Sequence, residues 1–277
     1  MPKRWITDLA LTVILLPLMG YSLIGEAVHE WLGLAMLALI VLHHIWNHVW
    51  YKGLDKGRMS IYRAAQTLLT FLLLLSVIGS LFSGLVLSQY ILAFLPLGWG
   101  QDWASTLHLP CAFWSFLLMG LHLGLHWSGV MGQIRRLAGL SGPSRARTAI
   151  LRLMGTALAC CGLLAFFRSG FSDYLLLRTH FLFFPPGQTA ARFLADYFAI
   201  FGLFVWIGHY GGNGLRRCSA RKNVSQGYNI SFQSAPWRWF CSYPGAERKR
   251  PHLPARGRKK VLPWRQNLKS IPPFRRS

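Results

Sequence analysis

Two apolar segments of the chain each carry two histidines that are fourteen residues apart, and this spacing constrains the fold more than any other feature. The pairs are His29 with His43 and His108 with His122. On an α-helix, fourteen residues rise about 21 Å and return to within roughly 40° of the same face. Each helix would therefore present two imidazoles on one side, near opposite edges of a hydrocarbon core of about 30 Å.

The composition is typical of a membrane protein. Hydrophobic residues make up 53% of the chain and charged residues 14%, whereas a soluble domain carries about a quarter charged residues. The apolar residues fall into runs long enough to cross a bilayer as α-helices. These runs are 5–25, 27–50, 64–88, 104–130, 149–168 and 191–212. We therefore predict an all-α, polytopic membrane bundle of about six transmembrane helices, in which the first run is a retained span rather than a cleaved signal.

Positive charge is concentrated near the end of the chain. Residues 213–277 hold 16 of the 30 Lys and Arg residues but a single acidic residue, Glu247. This stretch is rich in Pro, Arg and Lys without clear periodicity, which predicts a disordered segment. The sequence thus divides into a transmembrane domain, 1–212, and a basic cytoplasmic tail, 213–277. The tail is suited to anionic membrane lipid, and nucleic acid is the less favoured partner.

The distribution of Lys and Arg predicts the orientation of the helices, since cytoplasmic loops carry an excess of these residues. The loops after the second and fourth runs are basic, whereas the loop 89–103 contains neither Lys nor Arg. Both chain ends are therefore expected in the cytoplasm. The second and fourth runs then point in the same direction. This places His29 and His108 at the outer edge and His43 and His122 at the inner edge.

Four histidines matched in spacing and depth on two parallel helices are typical of sites that hold haem between two imidazoles. Neutral imidazole binds haem iron, and two axial imidazoles leave no open coordination position. The chain contains no CxxCH sequence, so covalent c-type attachment is not indicated. We therefore predict two b-type haems within the first four helices. His29 and His108 would bind the outer iron, and His43 and His122 the inner iron.

Two further histidines are alternative ligands of the inner haem. His44 lies fifteen residues after His29, and His126 lies eighteen residues after His108. We prefer His43 with His122 because this choice gives equal spacing on both helices. For each histidine, the simpler alternative is a hydrogen bond to a neighbouring helix.

Two residues outside the histidines are weaker candidates for haem contact. Gly84 would leave room for the macrocycle, and Arg178 would pair with the propionates of the outer haem. The structural alternatives are helix packing for Gly84 and contact with lipid headgroups for Arg178.

The inner histidines also suggest a different chemistry. HHxxxH at 43–48 and HxxxH at 122–126 resemble the histidine boxes of membrane di-iron desaturases and hydroxylases. That alternative makes the chain an enzyme with non-haem iron. It leaves His29 and His108 unexplained, so we prefer electron transfer.

The same segments resemble a known family, the flavinylation-associated transmembrane cytochromes, a bacterial branch of the cytochrome b-like four-helix haem proteins. The similarity rests on HEWLG and HHIWNHVW, on SGLVLS, and on HLGLHW, and it extends to DYLLLRTHFLFF and DYFAIFGLFVWIGHY, covering about 1–212. The resemblance implies a di-haem cytochrome b of the bacterial inner membrane, and it supports the same four histidines as ligands. It implies that electrons pass from quinol or a membrane donor to an extracytoplasmic protein bearing covalent flavin. The chain would then be an electron-transfer cytochrome or the membrane subunit of an oxidoreductase.

Reporter fusions test the predicted orientation. Alkaline phosphatase needs disulfide bonds that form outside the cytoplasm. We expect it to be active when fused after residue 94 and inactive when fused after residue 140, because only the second position follows a basic segment. Green fluorescent protein at the same positions is the complementary control. High phosphatase activity in intact cells from the fusion after residue 140 would contradict the orientation.

Overall fold

The computed structural model describes residues 2–54, 59–94, 100–140, 142–179 and 187–225, and these residues form helices joined by turns, with no strand among them. The α-helices are α1 (Pro2–Leu18), α2 (Tyr21–Ile24), α3 (Glu26–Trp46), α4 (Ile61–Leu87), α5 (Gln101–Leu137), α6 (Arg145–Arg168), α7 (Phe171–Leu175) and α8 (Ala190–Ser225), with a 3-10 helix at His48–Gly53. The prediction of an all-α fold is confirmed for this part of the chain.

Five of these helices, α3, α4, α5, α6 and α8, are long and apolar enough to cross a bilayer, which supports the transmembrane character of the protein. The first predicted span, 5–25, has a different structure. α1 has 17 residues and rises about 26 Å, slightly less than the hydrocarbon thickness. The chain then turns at Met19 and Gly20 before the single turn of α2. A sixth crossing therefore stays a prediction.

α5 and α8 are longer than the apolar runs that predicted them. α5 has 37 residues and α8 has 36, so each extends over about 55 Å. Residues 213–225, which the sequence analysis assigned to the tail, continue the last helix. The apolar pattern ends earlier than the helix because backbone hydrogen bonding continues through residues with polar side chains. The remainder of the predicted tail, 226–277, lies outside the described residues.

Glycines with positive φ begin both helices that carry the histidine pairs. Gly25 has φ 82° and precedes α3, and Gly100 has φ 84° and precedes α5. Residues with a Cβ rarely adopt this conformation, whereas glycine does so without steric cost. These two turns therefore set where each helix starts, and so which residues face its neighbours.

α5 packs closely on both α4 and α8, and glycines allow the approach to α8. Gly124 lies against Gly208, Gly208 lies against the backbone of Leu121, and Gly212 lies against Leu125. Small residues let membrane helices come close enough for backbone contact. The numbers of the contacting residues rise together, so α5 and α8 run parallel.

An aromatic cluster fills the bundle between α5, α7 and α8. Phe113 and Phe116 of α5 contact Phe171 of α7 and Tyr197 of α8, and Tyr174 of α7 stacks on Phe113 with ring centroids 4.4 Å apart. All five residues are buried. α7 thus inserts the rings of Phe171 and Tyr174 into the core.

Gly208→Ala should destabilise the α5–α8 contact. A Cβ at Gly208 would overlap the backbone of Leu121, whereas a Cβ at Gly211 would enter open space. Both substitutions improve helix propensity by about 1 kcal/mol, so a difference between the unfolding temperatures of the two variants reports their difference in packing. Overpacking typically costs about 1–3 kcal/mol. We expect Gly208→Ala to lower the thermal unfolding temperature in detergent relative to Gly211→Ala. Equal unfolding temperatures would argue against this close packing.

Candidate functional site

The outer histidines of α3 and α5 lie beside each other, as the spacing predicted. The ring centroids of His29 and His108 are 6.1 Å apart, with the ring planes at 71°. Two imidazoles bound on opposite sides of one metal ion, each through a nitrogen at about 2 Å, have ring centres roughly 6 Å apart. The two helices therefore hold these rings at a separation that would suit two imidazoles bound to one iron.

The second ring nitrogen of His108 is tied to α4. Its Nδ1 lies 2.9 Å from the carbonyl oxygen of Ser80 and 3.1 Å from Oγ of Ser83. A carbonyl oxygen only accepts, so Nδ1 carries the hydrogen and Nε2 is left with a lone pair. Metal-bound histidines commonly donate their other N–H to a backbone carbonyl in this way. Gly84 lies against the same ring, because an added Cβ would stand 3.2 Å from Cε1.

The carboxylate next to the outer histidine of α3 holds the end of α4. Glu30 accepts hydrogen bonds from the hydroxyl of Ser88 at 2.7 Å and from the backbone N–H groups of Gln89, Tyr90 and Ile91, at 2.7 Å for Gln89 and 3.0 Å for Ile91. These donors follow the last turn of α4, where N–H groups lack helical partners. Glu30 thereby joins α3 to α4, the helix whose Ser80 carbonyl also bonds to His108.

The inner histidines also gather, with an additional partner from α1. Nδ1 of His43 lies 2.7 Å from Oδ1 of Asp8. His122 lies within range of electrostatic interaction with His43, His44 and His126, and its ring centroid is 4.8 Å from that of His126. The histidines of α3 and α5 therefore lie near one another toward both ends of the helices, which requires the two helices to run parallel.

The two alternative inner ligands each have a hydrogen-bond partner of another kind. Nδ1 of His44 pairs with the hydroxyl of Tyr51 at 2.6 Å, and Nε2 of His126 pairs with the amide of Gln66 at 3.3 Å. Among the described residues, Nδ1 of His122 has no such partner. This difference favours His122 over His126 as the inner ligand on α5.

One histidine of each predicted pair keeps a buried nitrogen without a hydrogen bond. These atoms are Nδ1 of His29 and Nδ1 of His122, as far as the described residues extend. Leaving a buried polar atom unsatisfied costs free energy, so such atoms are rare in native proteins. The lone pair of an unprotonated imidazole nitrogen can bind a metal ion instead. The donor chemistry of both pairs therefore fits haem iron.

The packing around the histidines also suits a flat group. α3 packs mainly on α1, and α5 packs on α4 and α8, whereas α3 and α5 are not among the closely packed pairs of the described helices. The two histidine-bearing helices therefore meet through side chains and not through close backbone contact. A haem macrocycle held between two imidazoles would need such a gap between the backbones of α3 and α5.

Arg178 pairs with a nearby carboxylate. Its guanidinium is 3.6 Å from the carboxylate of Asp173, and its side chain is mostly exposed. Its backbone N–H also donates to the carbonyl of Asp173. Pairing with a haem propionate stays a prediction for this residue.

The described residues include no group of three or more His, Cys, Asp or Glu side chains arranged to hold a metal ion. The histidines instead occur as pairs across two helices. Haem iron takes four of its ligands from the macrocycle, so a pair of imidazoles completes its coordination.

Comparisons with known proteins add no assignment. No protein-family model matches the chain, and searches of curated proteins and of solved structures found no match. The resemblance to the flavinylation-associated cytochromes therefore stays a prediction based on the quoted segments.

Three residues that bond to the histidines or lie beside them, Asp8, Glu30 and Ser80, were not predicted from the sequence. Asp8 and Glu30 could have been identified from the sequence, because acidic residues within apolar runs are costly and often functional. Ser80 contributes a backbone carbonyl, which every residue possesses, so no sequence signal could have identified it.

Glu30→Ala should destabilise the outer end of the bundle. The substitution leaves one hydroxyl and three backbone N–H groups without their carboxylate. A hydrogen bond to a charged group contributes about 1.5–3 kcal/mol, and water replaces part of this at the exposed positions. We expect a loss of at least about 1.5 kcal/mol, seen as a lower unfolding temperature in detergent.

The matched control is Glu26→Ala in the same helix, whose carboxylate accepts from the side chain of Tyr21. It should cause a smaller loss because no backbone N–H groups are left unpaired. Equal losses for the two variants would show that Glu30 does not hold the end of α4.

Proposed function

We propose that this protein is a membrane cytochrome that conducts electrons across the bilayer through two b-type haems, each held by one histidine of α3 and one of α5. The observation that carries the proposal is the 6.1 Å separation of the ring centroids of His29 and His108. The hydrogen bond from His108 to the carbonyl of Ser80 supports it, since it leaves the other nitrogen for iron. His43 and His122 would hold the inner haem in the same way.

The residues of the chain fix and separate the two sites. When bound, the haems supply one-electron relays near the two faces of the membrane. The fourteen-residue spacing on each helix places the sites about 21 Å apart along the axis. Transfer of one charge across the membrane costs or yields about 2.3 kcal/mol per 100 mV. With a histidine from each helix as its two protein ligands, a bound haem would pass electrons and would leave no open position for oxygen chemistry.

The proposal extends to the electron donor and acceptor that the resemblance implies. A quinol, or another membrane donor, releases two electrons at the inner side, and a quinol also releases two protons as it becomes quinone. A flavin carried by an extracytoplasmic protein takes up the two electrons together with two protons from the outer side. In this proposal the protein lies in a bacterial inner membrane with α1 as a sixth crossing and both chain ends in the cytoplasm. It acts alone or as the membrane subunit of an oxidoreductase.

Haem content tests the proposal directly. We expect the full-length protein, purified in detergent, to show a b-type difference spectrum after dithionite reduction and about two haems per chain by the pyridine haemochrome assay. His108→Ala should lower this to about one haem, because the outer iron loses an axial ligand.

His48→Ala is the matched control. His48 is exposed and its Nδ1 bonds to the carbonyl of Ile45, so haem content should not change. A wild-type protein without haem would overturn the proposal, and non-haem iron in that preparation would favour the di-iron alternative.

A further inference from the structure

Of the four predicted ligands, the two whose Nδ1 has a hydrogen-bond partner differ in the charge of that partner. His108 of the outer pair bonds to the neutral carbonyl of Ser80 at 2.9 Å. His43 of the inner pair bonds to the carboxylate of Asp8 at 2.7 Å. The bond to Asp8 joins α1 to α3, two helices that pack along each other. One predicted site therefore has an anionic partner behind its ligand, and the other has a neutral one.

A carboxylate behind an imidazole changes the ligand as well as orienting it. Hydrogen bonds to an ionised acceptor are roughly twice as strong as those between neutral groups. A carboxylate that accepts from Nδ1–H makes the opposite nitrogen a better electron donor to the metal. Stronger donation stabilises the oxidised iron, so hydrogen bonding to an axial ligand is one of the ways in which proteins set haem potentials.

The side chains of Asp8 and His43 are both partly exposed. Asp8 has a side chain that is 49% exposed, and His43 is 29% exposed. The 2.7 Å contact keeps the carboxylate of Asp8 directly against the ring of His43. The corresponding outer site has Glu30 beside His29, but the Glu30 oxygens are occupied by the donors of residues 88–91.

We propose that Asp8 is a positioning residue that makes the inner haem the site of lower reduction potential. This inference rests on the proposed function, since it requires His43 to bind haem iron. An electron is then more stable at the outer site than at the inner one. The difference favours movement from the cytoplasmic side outward.

A redox titration of the full-length protein, followed in the visible spectrum, tests the inference. The wild type should show two transitions, and His43→Ala should remove the one of lower potential. Asp8→Asn keeps an oxygen that accepts from Nδ1 but loses the charge, so the lower potential should rise while the higher one stays. Asp8→Glu, which restores a carboxylate, should return the lower potential toward its wild-type value.

The control is Asp102→Asn, which removes a carboxylate at the start of α5 without contact to any of the histidines among the described hydrogen bonds. Both potentials should stay in place. Two haems with an unchanged lower potential in Asp8→Asn would overturn the inference and leave the proposed function standing. Loss of the higher transition in His43→Ala would also overturn it. A wild type without haem would overturn both.

Thermal unfolding separates this role from a purely structural one. If Asp8 only tied α1 to α3, Asp8→Asn would change the unfolding temperature and leave both potentials where they were. A shift of the lower potential without a large change in unfolding temperature supports the inference.

Discussion

The cost of an unpartnered polar group in hydrocarbon governs both the fold and the candidate site. Backbone groups avoid this cost by forming helices, and small polar side chains avoid it by bonding within the bundle. Ser115 of α5, for example, donates to Ser76 of α4 at 3.1 Å. Imidazoles are harder to satisfy because they have two nitrogens on opposite sides of a rigid ring. The rings of His29 and His122 each keep a buried Nδ1 that has no hydrogen-bond partner among the described residues.

The helices that carry the histidines are supported unequally. α5 is held on one side by α4 and on the other by α8, with glycines at the closest approach. α3 lies against α1 and is joined to α4 through Glu30 and to α1 through the pair Asp8–His43. α5 is therefore firmly packed, whereas α3 depends on polar contacts that tie it to its neighbours. Those ties occur at the two ends of α3, close to its two histidines.

The histidine pairs could be predicted because helix geometry is fixed. Fourteen residues always return to nearly the same face, and one intervening helix makes α3 and α5 parallel, so the depth match of His29 with His108 followed from counting. The hydrogen-bond partners could not be predicted, because they depend on which helix lies next to which. Asp8 reaches His43 across 35 residues of sequence. The break after α1 and the extension of α8 were also missed, since hydropathy reports the apolar runs and not the backbone.

The parallel packing of α5 on α8 has a consequence for biosynthesis. Chains are made from the N-terminus at about 5–20 residues per second, and α8 is the last helix that the structure describes. α5 is inserted before the helix that holds its second side exists. The face of α5 that carries Gly120 and Gly124 therefore reaches its final packing only after α8 has been made, which is after the synthesis of most of the chain.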